Sequence, residues 1–124
     1  MRSLRKRLTT RLDNLIRDFI RKKYHNRCCK CGKKISGQDS QVSHIVPKGN
    51  GASWRRFDLD NVLLMCYSCH INWWHKSPTE AGKWFSKKYP EIDKYLEKYR
   101  YGKTAEITTE EMETLLNKLK GNMK

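Results

Sequence analysis

Arg27-Cys-Cys-Lys-Cys-Gly32 and Cys66-Tyr-Ser-Cys-His70 decide the fold of this 124-residue chain. Each stretch pairs two cysteines across a two-residue gap, Cys28 with Cys31 and Cys66 with Cys69, the spacing that lets a tight turn present two thiolates to one ion. Gly32 relieves crowding behind the first turn. Two such pairs are hard to obtain by chance, so the four cysteines read as ligands of a structural zinc rather than as buried, unliganded thiols. Cys29 is then the odd cysteine, with a register shifted to Cys29 and Cys31 left open at this level.

The segment between the knuckles, residues 32 to 65, is longer than a simple zinc ribbon needs, which fits an inserted functional loop. Residues 36 to 53 are rich in Gly, Ser, Asn and Gln, interrupted by Val42-Ser-His-Ile-Val46, whose apolar residues predict a short strand ended by Pro47-Lys-Gly-Asn-Gly51. An irregular loop carrying Asp58 and Asn61 follows, then Val62-Leu-Leu-Met65 as a second strand running into the second knuckle. The expectation is α+β: a β-loop-β hairpin leading into a helix, closed at its base by zinc. Residues 1–27 and 77–124 then supply N- and C-terminal helices that flank this 28–76 core.

Leu4, Leu8, Leu12, Leu15, Ile16, Phe19 and Ile20 fall on one helical face with Arg and Lys around the rest. Residues 1–34 hold 13 basic and two acidic side chains, a local +11 out of a total of +14, so the positive charge is clustered rather than spread. Such a field attracts polyanions, of which nucleic acid is the commonest for a cytosolic protein. Beyond His70, Ser77-Pro-Thr-Glu80 and Thr108-Thr-Glu-Glu111 have the form of capping boxes. They predict a helix running toward Tyr89, an interruption and restart at Pro90, and a last amphipathic helix stopped by Gly121.

Hydrophobic residues make up only 37% of the chain and charged residues 32%, so a bound metal would add stability where the core is thin. No run approaches the roughly 18 apolar residues of a membrane span, and the chain opens Met-Arg-Ser-Leu-Arg-Lys-Arg rather than with an apolar signal segment. A reducing cytoplasm and no membrane partner are the expectations, leaving the five cysteines to metal and core rather than disulfides.

Cys28-x-x-Cys31, Ser43-His44-Ile45, Asn61 and Cys66-x-x-Cys69-His70 together resemble the HNH, or ββα-metal, nuclease motif, over residues 28 to 75. Within that superfamily, the stretch from Val42 through Arg56-Phe-Asp-Leu-Asp-Asn61 to Cys66-Tyr-Ser-Cys-His70 is similar to the phage NinG type of recombination nuclease. The resemblance implies a metal-dependent DNA endonuclease, in a bacterial host's cytoplasm if phage-encoded, acting on branched or recombination intermediates. His44 would be the general base, a role suited to an imidazole near neutral pH. Asn61 would orient a histidine or brace the loop, and His70 would hold a catalytic divalent ion, magnesium, manganese or nickel.

The chain departs from the pattern at Ser43, where the superfamily often has Asp or His as a second metal ligand. A hydroxyl replaces these poorly, so Ser43 is a weak candidate ligand, with His75, water and substrate phosphate as others. His75 follows His70 by five residues, about 140° away on an ideal helix, which is awkward for a shared ion unless the helix is irregular. Arg55, Arg56 and Lys48 are candidates for DNA contact. Trp73, Trp74, Trp84, Phe85, Tyr89, Tyr95 and Tyr99 could stack bases, but core packing is their default. The rival reading is a noncatalytic, zinc-bound nucleic-acid-binding module. Assembly as a homodimer is left open.

Overall fold

A computed structural model describes residues 2–49, 51–102 and 105–122 of the chain. Ser3 caps the first helix, α1 (Leu4–Lys23), its hydroxyl accepting from the Lys6 N–H at 3.2 Å. Leu8, Leu12, Ile16 and Ile20 recur every fourth residue and are buried, which leaves the Arg and Lys positions between them facing outward. The helix ends where His25 and Asn26 take positive φ angles of 54° and 56°. In this left-handed reversal the Asn26 N–H returns to the Arg21 carbonyl at 2.9 Å, and the chain turns into the first cysteine knuckle.

Strand β1 (Gln41–His44) pairs antiparallel with β2 (Val62–Met65), setting Gln41 opposite Met65 and His44 opposite Val62. All four residues of β2 are buried, because α1 and the helical segment after the strand both pack against it. Its sequence is accordingly a continuous apolar run rather than an alternation. Between the strands lie a one-turn helix, α2 (Trp54–Phe57), and a 3-10 turn at Leu59–Asn61. After β2 the order is a π-helix (Ser68–Trp74), α3 (Pro78–Lys88), α4 (Pro90–Tyr95), α5 (Glu97–Arg100) and α6 (Thr109–Asn122).

The architecture is α+β, a two-stranded sheet among helices, as expected. Leu12 of α1, Leu64 of β2, Phe85 of α3 and Met112 of α6 join one buried cluster, with α6 lying along α1. The aromatic set mostly packs here as well. Trp73 meets Trp84 edge-on at 5.4 Å, Trp74 meets Phe85 at 6.2 Å and Trp84 meets Tyr89 at 6.0 Å. Tyr95 and Tyr99 instead donate to one oxygen of Asp58, each at 2.6 Å, and tie α4 and α5 to the loop. No helix among the described residues is long and apolar enough to cross a membrane.

The two capping boxes behave differently. Thr108 forms its box in full, its hydroxyl accepting from the Glu111 N–H at 3.1 Å while its own N–H donates to the Glu111 carboxylate at 3.0 Å. Ser77 makes no side-chain cap bond: its backbone, at φ −127° and ψ 61°, is off the extended geometry that carries a cap hydroxyl over the first turn, and Pro78 starts α3 without it. Gly121 does not stop the last helix, which continues to Asn122. Thr108→Ala should therefore cost about 0.5–2 kcal/mol in urea denaturation, whereas Ser77→Ala should stay within about 0.5 kcal/mol of the parent.

Candidate functional site

The thiols of Cys28, Cys31, Cys66 and Cys69 converge, with all four sulfur atoms within 4.8 Å of one another. Cys31 and Cys66, from opposite knuckles, have their sulfurs 3.9 Å apart. A tetrahedral zinc site with Zn–S bonds of about 2.3 Å has sulfur-to-sulfur edges of about 3.8 Å, so the cluster could hold a structural ion such as zinc. Local backbone builds it. Gly32, at φ +77°, closes the first turn by donating to the Cys28 carbonyl at 2.9 Å, while the Cys69 N–H points at the Cys66 sulfur at 3.4 Å.

Burial alone would raise the Cys28 thiol, but backbone N–H groups of Cys31, Cys66 and Lys30 aimed at its sulfur bring it down to about 7. Burial raises Cys66 and Cys69 instead, so a cation is needed to hold the full set of thiolates. Cys29 is outside the cluster. Its N–H donates to the Leu64 carbonyl of β2 at 2.9 Å, its side chain packs in the core, and burial pushes its thiol up to about 12. The structure thereby chooses Cys28 over Cys29. Asp39 joins the two knuckles, accepting from the Tyr67 N–H at 2.7 Å and pairing with Lys33 at 2.9 Å, which together hold its carboxyl below its usual range.

Asn61 is wholly buried and spends its side chain on the loop. Its amide oxygen accepts from the Val46 N–H at 2.8 Å, and its amide nitrogen donates to the carbonyls of Val46 at 2.9 Å and Arg55 at 2.8 Å. It braces the segment that follows β1 and the segment of α2 at once. The next carbonyl along, that of Arg56, is 2.9 Å from His44 Nε2. A carbonyl only accepts, so the proton of His44 sits on Nε2 and the lone pair on Nδ1. Burial, the largest influence, holds this imidazole below its ordinary 6.5, against the bond to the Arg56 carbonyl, which favours the protonated ring; the Lys48 charge acts with burial.

His70 and His75 meet. The π-helix closes the His75 N–H onto the His70 carbonyl at 3.1 Å, a five-residue turn that stacks positions i and i+5. The two Nε2 atoms are 3.0 Å apart, which overturns the separation that an ideal α-helix predicts. Gln41 sets the tautomer: its amide nitrogen donates to the Gln38 carbonyl at 3.0 Å, leaving its oxygen to accept from His70 Nδ1 at 2.8 Å. The lone pair of His70 is therefore on Nε2, facing His75. His44 and His75 line one cavity of about 270 Å³ with Ile45, Trp74 and Phe85.

Other expected site residues lie elsewhere. Ser43 is fully buried, on the face of β1 opposite Val42 and His44, and its hydroxyl has no partner, so it is not placed to ligate an ion at the histidines. Arg56 is held by Asp13 of α1 in a two-bond fork at 3.1 and 2.6 Å and is not a free cation. Arg55 lies over Gly49, whose φ of +72° and lack of a side chain admit the guanidinium: a Cβ there would be 2.8 Å from it. Lys48 is exposed beside His44. Sequence reading missed Gln41, Asp13 and the Arg56 carbonyl. The first two carry no motif, and a backbone oxygen leaves no mark in a sequence.

Compared with family models, curated proteins and solved structures, the chain matches none. Among the described residues, the four cysteines are the one group of three or more His, Cys, Asp or Glu side chains that meet closely enough for an ion.

Two measurements check this geometry. Zinc content should be about one ion per chain by elemental analysis, lost in Cys28→Ser and kept in Cys29→Ser. Because burial holds His44 and His70 below 6.5, the unfolded chain binds more protons just under that pH. Their contribution to stability is full above 6.5 and is lost as pH falls through their lowered folded values. The urea midpoint should drop between pH 7.5 and 5.5, by less in His44→Gln than in the parent.

Proposed function

We propose that the chain is a metal-dependent DNA endonuclease whose ββα-metal core is built from β1, β2 and the π-helix on a structural zinc. The observation that carries this reading is the meeting of His70 and His75 through their Nε2 atoms, with His75 lining one cavity together with His44. A phosphodiester hydrolase needs a base for water and a positive centre at the phosphate oxygens.

His44 takes the proton of the attacking water on Nδ1, because Nε2 is occupied by the Arg56 carbonyl. Burial keeps it neutral at pH 7 and so able to accept. Asn61 acts through the loop: by fixing the Arg55 carbonyl and the Val46 backbone, it aims the neighbouring Arg56 carbonyl at the base. It is a positioning residue. Asp13 steadies the same loop by gripping the Arg56 side chain.

His70 and His75 would hold the catalytic ion, which supplies charge to the phosphate and leaving oxygens. Two ligand atoms at about 2.0–2.1 Å from one ion, on adjacent corners of its coordination shell, are about 2.9–3.4 Å apart, and 3.0 Å fits that bite. An imidazole pair without a carboxylate suits nickel better than magnesium, with manganese between them. Gln41 holds His70 in the ligating tautomer. The clustered charge of α1 favours DNA, and the NinG likeness favours branched or single-stranded intermediates.

Plasmid nicking by the zinc-loaded chain, titrated with nickel, manganese and magnesium, tests the reading. Cutting should require added ion, fall by at least about 10²-fold in His44→Ala, and leave DNA binding and zinc content unchanged in that variant. Retained cutting would remove His44 as base. Binding without cutting on supercoiled, single-stranded and branched DNA would establish the noncatalytic module instead.

A further inference from the structure

A second cleft, of about 290 Å³, opens on the other side of His44, between α1 and β1. Its walls carry Arg17 from α1 and Lys48 from the loop after β1, with His44 and Gln41 between them and the Asp13–Arg56 pair at one edge. Both oxygens of Asp13 are taken by the Arg56 guanidinium, so the only carboxylate in the cleft is already neutralised. Arg17 and Lys48 then leave the cleft a net charge of about +2 at neutral pH.

Both cations are exposed, and among the described residues neither is in an ion pair. Arg17 makes one side-chain bond, at 3.3 Å, to Asn14 on its own helix. Its anchor is rigid nonetheless, since Leu12, Ile16 and Ile20 bury the apolar face of α1. Asp13 stands four residues before Arg17, so the two are neighbours on one helix face, and Arg56 by claiming Asp13 keeps it from claiming Arg17. The cleft has roughly ten times a liquid water's share of about 30 Å³. A planar guanidinium on one wall and a point charge on the other suit the two unesterified oxygens of a phosphodiester.

We propose that this cleft seats a backbone phosphate of the bound DNA strand, gripped between Arg17 and Lys48, next to the phosphate that would react at His44. This rests on the endonuclease reading for the identity of the polyanion and deepens it by giving α1 a substrate-binding wall. The strand then crosses His44 from the α1 cleft toward His70 and His75. Arg17 and Lys48 are positioning residues that touch the strand one phosphate away from the chemistry.

The test is fluorescence anisotropy of a labelled DNA strand bound by the full chain supplied with zinc alone, over a salt series, so that binding is read without turnover. Arg17→Ala and Lys48→Ala should each weaken binding on every sequence tried and lower the slope of log affinity against log salt by about 0.7–0.9. Arg17→Lys should restore most of that slope. Lys120→Ala, an exposed cation on α6, should leave it unchanged. Thermal melts of all variants should coincide with the parent. In nicking assays the two alanine variants should raise KM several-fold with little change in kcat. Folded variants that keep the parental salt slope would overturn the phosphate seat, whether or not the chain cuts. A lost slope in a chain that never cuts would uphold the seat and remove the nuclease.

Discussion

The convergence of four thiols is the constraint on which the rest of the molecule depends. It pins the ends of a loop from residue 32 to residue 65 to one point, and a loop of that length cannot be closed without a large entropic cost. With the ends fixed, the Cys29 N–H falls on the Leu64 carbonyl and ties the first knuckle to β2. The same convergence sets where the chain leaves β2. The π-helix starts within the second knuckle, so the position of its histidines relative to β1 is inherited from the cysteines. Four sulfurs this close repel one another once ionised, which makes the cluster a poor arrangement without a cation and a strong one with it.

Inside that closed loop, a single buried amide does the work that regular secondary structure does elsewhere. Asn61 makes three hydrogen bonds to backbone groups on two separate segments, leaving none of its strong polar capacity exposed to the surrounding apolar side chains. An amide buried this completely would be costly if it lost a partner, since each unmade bond leaves a desolvated group behind. The effect on His44 is indirect. It consists in the direction of a carbonyl one residue beyond the atom that Asn61 touches.

Much of this was legible in the sequence. The cysteine spacing implied the cluster, the four-residue recurrence in α1 implied its buried face, and the apolar residues of Val42–Val46 and the run at Val62 implied the two strands, the first of which lies at Gln41–His44 and so ends two residues sooner than expected. What stayed hidden depends on tertiary geometry. The choice between Cys28 and Cys29 turns on which sulfur the knuckle points inward, and both share the same neighbours in the chain. Ser77 and Thr108 begin similar strings, yet only the latter makes the cap bonds. The fork between Asp13 and Arg56 spans 43 residues and joins two elements that sequence treats as unrelated. His75 was the clearest case: ideal helix geometry placed it out of reach, and a rarer hydrogen-bond period brought it in.

That rarer period has a consequence for how this site can vary. The residues between His70 and His75 act as a spacer whose length matters more than its chemistry. Replacing Ile71 or Asn72 leaves the turn count intact, while the loss or gain of one residue would swing His75 around the helix axis and dissolve the pair. The same holds in reverse: deleting one residue while the backbone relaxed to an ordinary α-helix would restore a shared face at i and i+4. Chains related to this one could thus carry their second histidine at either of two distances, with the helix type changing to match, and an alignment that scores columns one by one would register the change as a missing histidine.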